Sequence, residues 1–146
     1  MKINGLPLHP LVVHAAVVLG PVAALTALLY AGVPRWRDRL RLPMVVLAVV
    51  GTAAVLAAYF TGDNFLESRP ELEANPLVET HEERAELLLW LTPAFGVAAV
   101  AAHLLHPRPG AARTAGRVLL ALASLAVLVQ VVLVGDAGAR AVWEGR

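Results

Sequence analysis

No cysteine occurs among the 146 residues, which excludes a disulfide, a thiolate metal ligand and covalent c-type haem attachment. Charge is scarce as well, at 16% of the chain, where a soluble domain carries about 25%. A net charge of only +1 argues against nucleic acid as a partner. Serine is limited to Ser68 and Ser124, and neither has a histidine–carboxylate pairing at useful spacing. Hydrolytic chemistry is therefore not legible; enzyme activity stays an open question at this point, with its absence the favoured reading.

What fills the chain instead is apolar. Hydrophobic residues make up 58% of it and the mean hydropathy is +0.68. Four uncharged runs stand out, Leu11–Val33, Leu42–Gly62, Leu87–Pro107 and Val118–Gly135, each close to the roughly 20 residues that cross a hydrocarbon core. The expected fold is an all-α, integral-membrane four-helix bundle forming one domain over residues 1–146. Its spans fall at about 11–33, 42–62, 85–107 and 117–135, with an acidic outer loop at 63–84. The first run is read as a retained span. It is too long for the core of a signal peptide and follows a polar, proline-bearing stretch.

The loops set the orientation. Arg35, Arg37, Arg39 and Arg41 face Asp38 alone in the first, and Arg108, Arg113 and Arg117 face no acid in the third. The second holds Asp63, Glu67, Glu71, Glu73, Glu79, Glu82, Glu83 and Glu86 against two arginines. Short basic loops stay in the cytoplasm, so the acidic loop and both termini are expected outside. Trp36, Trp90 and Trp143 suit the membrane boundaries.

Local signals refine this frame. His9-Pro10 reads as a helix start, since proline at the first helical position loses no needed N–H. Thr80-His81-Glu82-Glu83 matches a capping box, which makes Thr80 the N-cap and His81 the first helical residue of the third span. The preceding segment, with Pro70, Asn75 and Pro76, reads as turns with one brief surface helix. Small residues recur every fourth position at Ala16–Gly20–Ala24, Ala54–Ala58–Gly62 and Ala94–Ala98–Ala102, a spacing that lets helix backbones approach closely. Pro21 and Pro93 each remove a helical hydrogen bond within a span.

Folding the topology up brings scattered polar groups to one face. His9, His14, Tyr59, Thr61, Asp63, His81 and Asp136 fall at the outer ends of the spans, and Gln130 lies within the fourth. His103 and His106 fall at the opposite end. His14 lies about 6 Å inside the first helix start, and ionisable residues inside a membrane are functional-site candidates by default. Two sites follow from this placement. His14 and His81 can ligate a haem iron axially, or His14, His81 and Asp136 can hold one divalent metal ion as two imidazoles and a carboxylate. His9 reads as a cap and turn residue. A structural or interaction protein without a cofactor, paired with itself or another membrane protein, is the alternative.

Pro7-Leu8-His9-Pro10-Leu11-Val12-Val13-His14, the Leu77–His81 segment and the ending Gly135-Asp136-Ala137-Gly138-Ala139-Arg140-Ala141-Val142-Trp143 resemble the small bacterial membrane proteins grouped as domain of unknown function 2231. The resemblance covers nearly the whole chain in the right order. It implies a four-span protein of the bacterial inner membrane without an assigned activity. The family's closing motif reads Gly-His where this chain has Gly135-Asp136, which removes one imidazole from the outer face.

Overall fold

The structure, a computed structural model, describes residues 2–3 and 5–144. A two-residue antiparallel pairing opens the chain, with Lys2 opposite Pro7 and Ile3 opposite Leu6. Gly5 makes its turn at φ +82°, a conformation that a side chain would strain. Helix α1 then runs over Leu8–Gly32, α2 over Arg37–Glu67 after a 3₁₀ turn at Pro34–Trp36, α3 over Pro70–Glu73, α4 over Pro76–Leu105 and α5 over Ala111–Trp143. Four of these are long and apolar enough to cross a membrane, and the protein is a multi-pass membrane bundle.

Helices α2 and α5 extend past their apolar runs at both ends, and α1 and α4 begin ahead of theirs. Only residues 68–75 separate α2 from α4, so most of the expected 63–84 loop is helical. The capping box is not used. Asn75 caps α4, its side chain accepting from the Leu77 N–H at 3.0 Å, with Pro76 at the first helical position. Asparagine followed by proline is a strong helix start, and it wins over Thr80-x-x-Glu83 five residues later. Thr80 instead bonds back to the Pro76 carbonyl at 2.9 Å, and His81 sits in the second turn of α4.

Helix α1 packs on α2 and α5, and α4 packs on α5 and α2, closing a ring in the order α1–α2–α4–α5. The buried face follows close packing more than size. Ala16, Gly20 and Ala24 are all buried, as their spacing requires. The other two small-residue stripes are met in part, Ala58 and Ala102 lying in the buried seams and Gly62 against His9. The seam of α2 is Met44, Ala48, Gly51, Val55 and Ala58, and on α4 Ala94 is exposed while Phe95, Gly96, Ala99 and Ala102 turn inward. Large apolar side chains such as Val17, Leu25, Val46, Leu122 and Val129 point outward. Such a surface demands lipid rather than water.

The two hairpins, α1–α2 and α4–α5, repeat each other. A shift of 72 residues takes His9 to His81 and Pro21 to Pro93, and it carries the whole buried set of α1 (Ala16, Gly20, Ala23, Ala24, Ala27, Tyr30) onto that of α4 (Leu88, Thr92, Phe95, Gly96, Ala99, Ala102). A shift of 76 takes Met44, Ala48, Gly51 and Val55 of α2 onto the buried Leu120, Ser124, Val127 and Val131 of α5. The four extra residues of the second shift fall between Ala102 and Arg113, shared among the end of α4, the connection and the start of α5. Because both hairpins start at the acidic end, they are parallel repeats about an axis along the bundle. Tyr30 and its counterpart Ala102 meet on that axis, the phenol O–H donating to the Ala102 carbonyl at 3.2 Å.

Candidate functional site at the acidic end

The repeat produces a matched pair of histidines. On α1 the His9 Nδ1–H donates to the Ala58 carbonyl of α2 at 3.0 Å. On α4 the His81 Nδ1–H donates to the Val134 carbonyl of α5 at 3.1 Å. A carbonyl only accepts, so Nδ1 carries the proton and a neutral ring keeps its lone pair on Nε2. Each ring lies against a glycine one turn beyond the carbonyl it binds. A Cβ on Gly62 would stand 2.8 Å from His9 Cε1, and one on Gly138 would stand 3.0 Å from His81 Cε1. Phe65 stacks on His9 with ring centroids 6.1 Å apart and planes inclined by 24°. The two imidazoles are half-buried and within electrostatic reach of each other.

The other expected members fall elsewhere. His14 is exposed, its Nδ1 2.6 Å from the Pro10 carbonyl of its own helix. Five residues along a helix separate His9 from His14, and the angular step turns one inward and the other out. Asp136 is held by Arg140, whose Nε lies 3.1 and 3.2 Å from its two oxygens, and by Arg84 at 3.8 Å. With Leu77, Thr80 and Ala137 these residues line an open groove of about 390 Å³. Gln130 is buried as expected, and its Nε2 donates to the Arg84 carbonyl at 2.8 Å. The structure thus brings His81 together with His9 and leaves His14 and Asp136 apart from them. Among the described residues, no three histidines or carboxylates form a group that could hold a metal ion.

The histidine absent from the expected site was His9. Its sequence signal is the internal repeat, since His9/His81 and Pro21/Pro93 stand 72 residues apart and Gly62/Gly138 stand 76 apart.

A family model described as "Predicted membrane protein (DUF2231)" matches residues 5–146. The chain belongs to the DUF2231 family. Its histidine layer is therefore a feature of a DUF2231 protein whose four spans are now placed in a ring. No curated protein and no solved structure matches the chain.

Proposed function

We propose that this DUF2231 protein sits in a bacterial plasma membrane with its acidic end outward, and that the His9–His81 layer there ligates a haem iron. The carrying observation is the pair of imidazoles, each with Nδ1–H tied to a neighbouring helix carbonyl. A histidine that ligates through one ring nitrogen commonly donates the other N–H to a carbonyl, which orients the ring and raises its basicity. Two donors match the two axial positions of haem iron. A zinc-like divalent ion takes three or four protein ligands, and among the described residues no such group forms around His81, which is why the metal set of His14, His81 and Asp136 is the weaker version of the same idea. The orientation is supported by Arg35, Arg37, Arg39, Arg41, Arg108, Arg113 and Arg117 gathering at the other end. Haem would bring one-electron chemistry, while the chain supplies ligation, orientation and a lipid-shielded setting.

A second reading keeps the pair as interhelical clamps with no cofactor, and the glycine cradles favour it, because they seat the rings even without a ligand. The two readings separate in one experiment. Protein extracted from membranes, and the same protein titrated with haem, is examined by absorption spectroscopy and elemental analysis. Haem ligation gives an intense Soret band that shifts on reduction, is lost in His9→Ala and His81→Ala, and persists in His14→Ala and His103→Ala. A metal without a Soret band that is lost in His14→Ala restores the three-residue set. A colourless, metal-free protein that does not take up haem, and in which His9→Ala only lowers the melting temperature, overturns the haem reading in favour of clamps.

A further inference from the structure

The repeat also acts at the opposite, basic end. The shift of 76 that pairs Gly62 with Gly138 pairs Arg37 with Arg113 and Arg41 with Arg117. These four residues occupy the first two turns of α2 and α5, and all four guanidinium groups lie within electrostatic reach of the buried Tyr30 hydroxyl on the bundle axis. The acid available to balance them is already committed. Asp38 is the one carboxylate in the segments 34–41 and 108–117. It accepts from His106 Nε2 at 2.9 Å, and the Nδ1 of that ring meets the Tyr30 hydroxyl at 2.9 Å. Arg37 is spent on the end of α1, donating from Nε to the Tyr30 carbonyl at 3.3 Å and from Nη2 to the Ala31 carbonyl at 3.1 Å.

Arg41 and Arg117 differ from it, although Arg117 donates from Nη2 to the Thr114 hydroxyl at 3.1 Å. Both are half-buried, and the Nε of each is shut off from water with no hydrogen-bond partner among the described residues. Two symmetry-related guanidinium groups have thus given up hydration at one atom without gaining an acceptor, a costly state for a charged donor. They do so beside the N-termini of two long helices, neither of which has a side-chain cap and both of which add positive potential. An anion on their outer edges, accepting from the terminal Nη groups, would offset the mutual repulsion and stabilise the charge of guanidinium groups whose Nε is already desolvated.

We propose that Arg41 and Arg117, flanked by Arg37 and Arg113, form a phosphate-binding site at the basic end, filled by a lipid headgroup. The site lies where two membrane-spanning helices begin, at the level where headgroup phosphates sit, and basic pockets between spans are known to hold anionic headgroups. One arginine pair from each half of a twofold favours a headgroup that carries two phosphates. The site lies at the other end of the bundle from the histidine layer and does not depend on it.

Native mass spectrometry and thermal melting of the full chain in detergent test this. The probes are a two-phosphate lipid of the cardiolipin type, phosphatidylglycerol, phosphatidylethanolamine, pyrophosphate and inorganic phosphate. The expected result is a retained two-phosphate lipid that raises the melting temperature, phosphatidylglycerol held more weakly and phosphatidylethanolamine not held. The Arg41→Gln/Arg117→Gln double variant should bind that lipid at least about tenfold more weakly, whereas Arg35→Gln/Arg108→Gln, which removes the same charge, should stay within about twofold. Arg41→Lys/Arg117→Lys keeps the charge and should retain part of the binding, which covers the case of a double glutamine variant that does not fold. Stabilisation by pyrophosphate or phosphate but by no lipid would keep the site and overturn the lipid as its source. Wild-type protein indifferent to all five probes, or equal losses in both glutamine pairs, overturns the proposal.

Discussion

The glycine cradles make opposite demands on substitutions that a propensity scale treats alike. Gly62, Gly138 and Gly135 all lie inside helices, where Gly→Ala normally gains about 0.5–1 kcal/mol. At Gly135 nothing lies within 4 Å of the added methyl, so Gly135→Ala should show that gain. At Gly62 the methyl would stand 2.8 Å from His9 Cε1 and 3.1 Å from Nδ1. The ring must move, and it cannot do so and keep its 3.0 Å bond to the Ala58 carbonyl. Losing that bond costs about 0.5–1.5 kcal/mol and the displaced packing about 1–3 kcal/mol. After the propensity gain, Gly62→Ala should be destabilising by on the order of 1–2 kcal/mol. Gly138→Ala meets His81 at 3.0 Å and should lose a similar amount, because the repeat builds the same contact twice. Thermal unfolding in one detergent, with all three variants side by side, measures this. If Gly62→Ala and Gly138→Ala raise the melting temperature as Gly135→Ala does, the histidines are not seated on the glycines and the layer is not a built feature.

Three further outcomes are expected. Asn75→Ala should cost about 1 kcal/mol as a lost N-cap while Thr80→Ala changes stability little, and the reverse order in thermal melts would restore the capping box. Tyr30→Phe removes a fully buried hydroxyl that meets both the Ala102 carbonyl and His106, so it should lower stability by about 1–3 kcal/mol; an unchanged melt would mean that neither contact persists. A single cysteine at Ser68 in this cysteine-free chain should react with an impermeant reagent from outside intact cells and one at Arg108 should not, and the opposite labelling would invert the proposed orientation.

The spans were legible because nothing competes with a long uncharged run: α1, α2, α4 and α5 each contain one. Their ends were not, since polar residues such as Asp63, Glu67 and Glu79 can continue a helix beyond the membrane as readily as leave it. The capping box failed for a related reason. Thr80 and Glu83 had the right spacing, but Asn75-Pro76 met the same local requirement earlier and the helix began there. The seams of α2 and α4 were placed only in part, at Ala58, Gly62 and Ala102, because alanine is so common that small-residue spacing alone selects no face. The phase that matters is set by Gly51, where an added Cβ would meet the Leu19 backbone at 3.2 Å, and by Gly96 against Thr52. The site was half legible. His81 was found for its place at the acidic end, but the depth rule that selected His14 over His9 says nothing about which way a ring faces around the helix.

One departure from the repeat follows from its axis. A residue on a twofold axis meets its own counterpart, so two large side chains cannot both occupy one point there. Tyr30 fills the axis at the basic end and Ala102 leaves it room, which is why the pair diverges while Ala27 and Ala99, both fully buried, do not. Off the axis no such limit applies, and there the repeat keeps its functional-looking residues in duplicate: His9 with His81, Gly62 with Gly138, Arg41 with Arg117. Packing alone would maintain apolar volume at these positions more cheaply than half-buried imidazoles and guanidinium groups do. That the half-buried imidazole and the half-buried guanidinium group each occur in both halves is the physical reason to look for ligands at the two ends of the bundle rather than in its apolar middle.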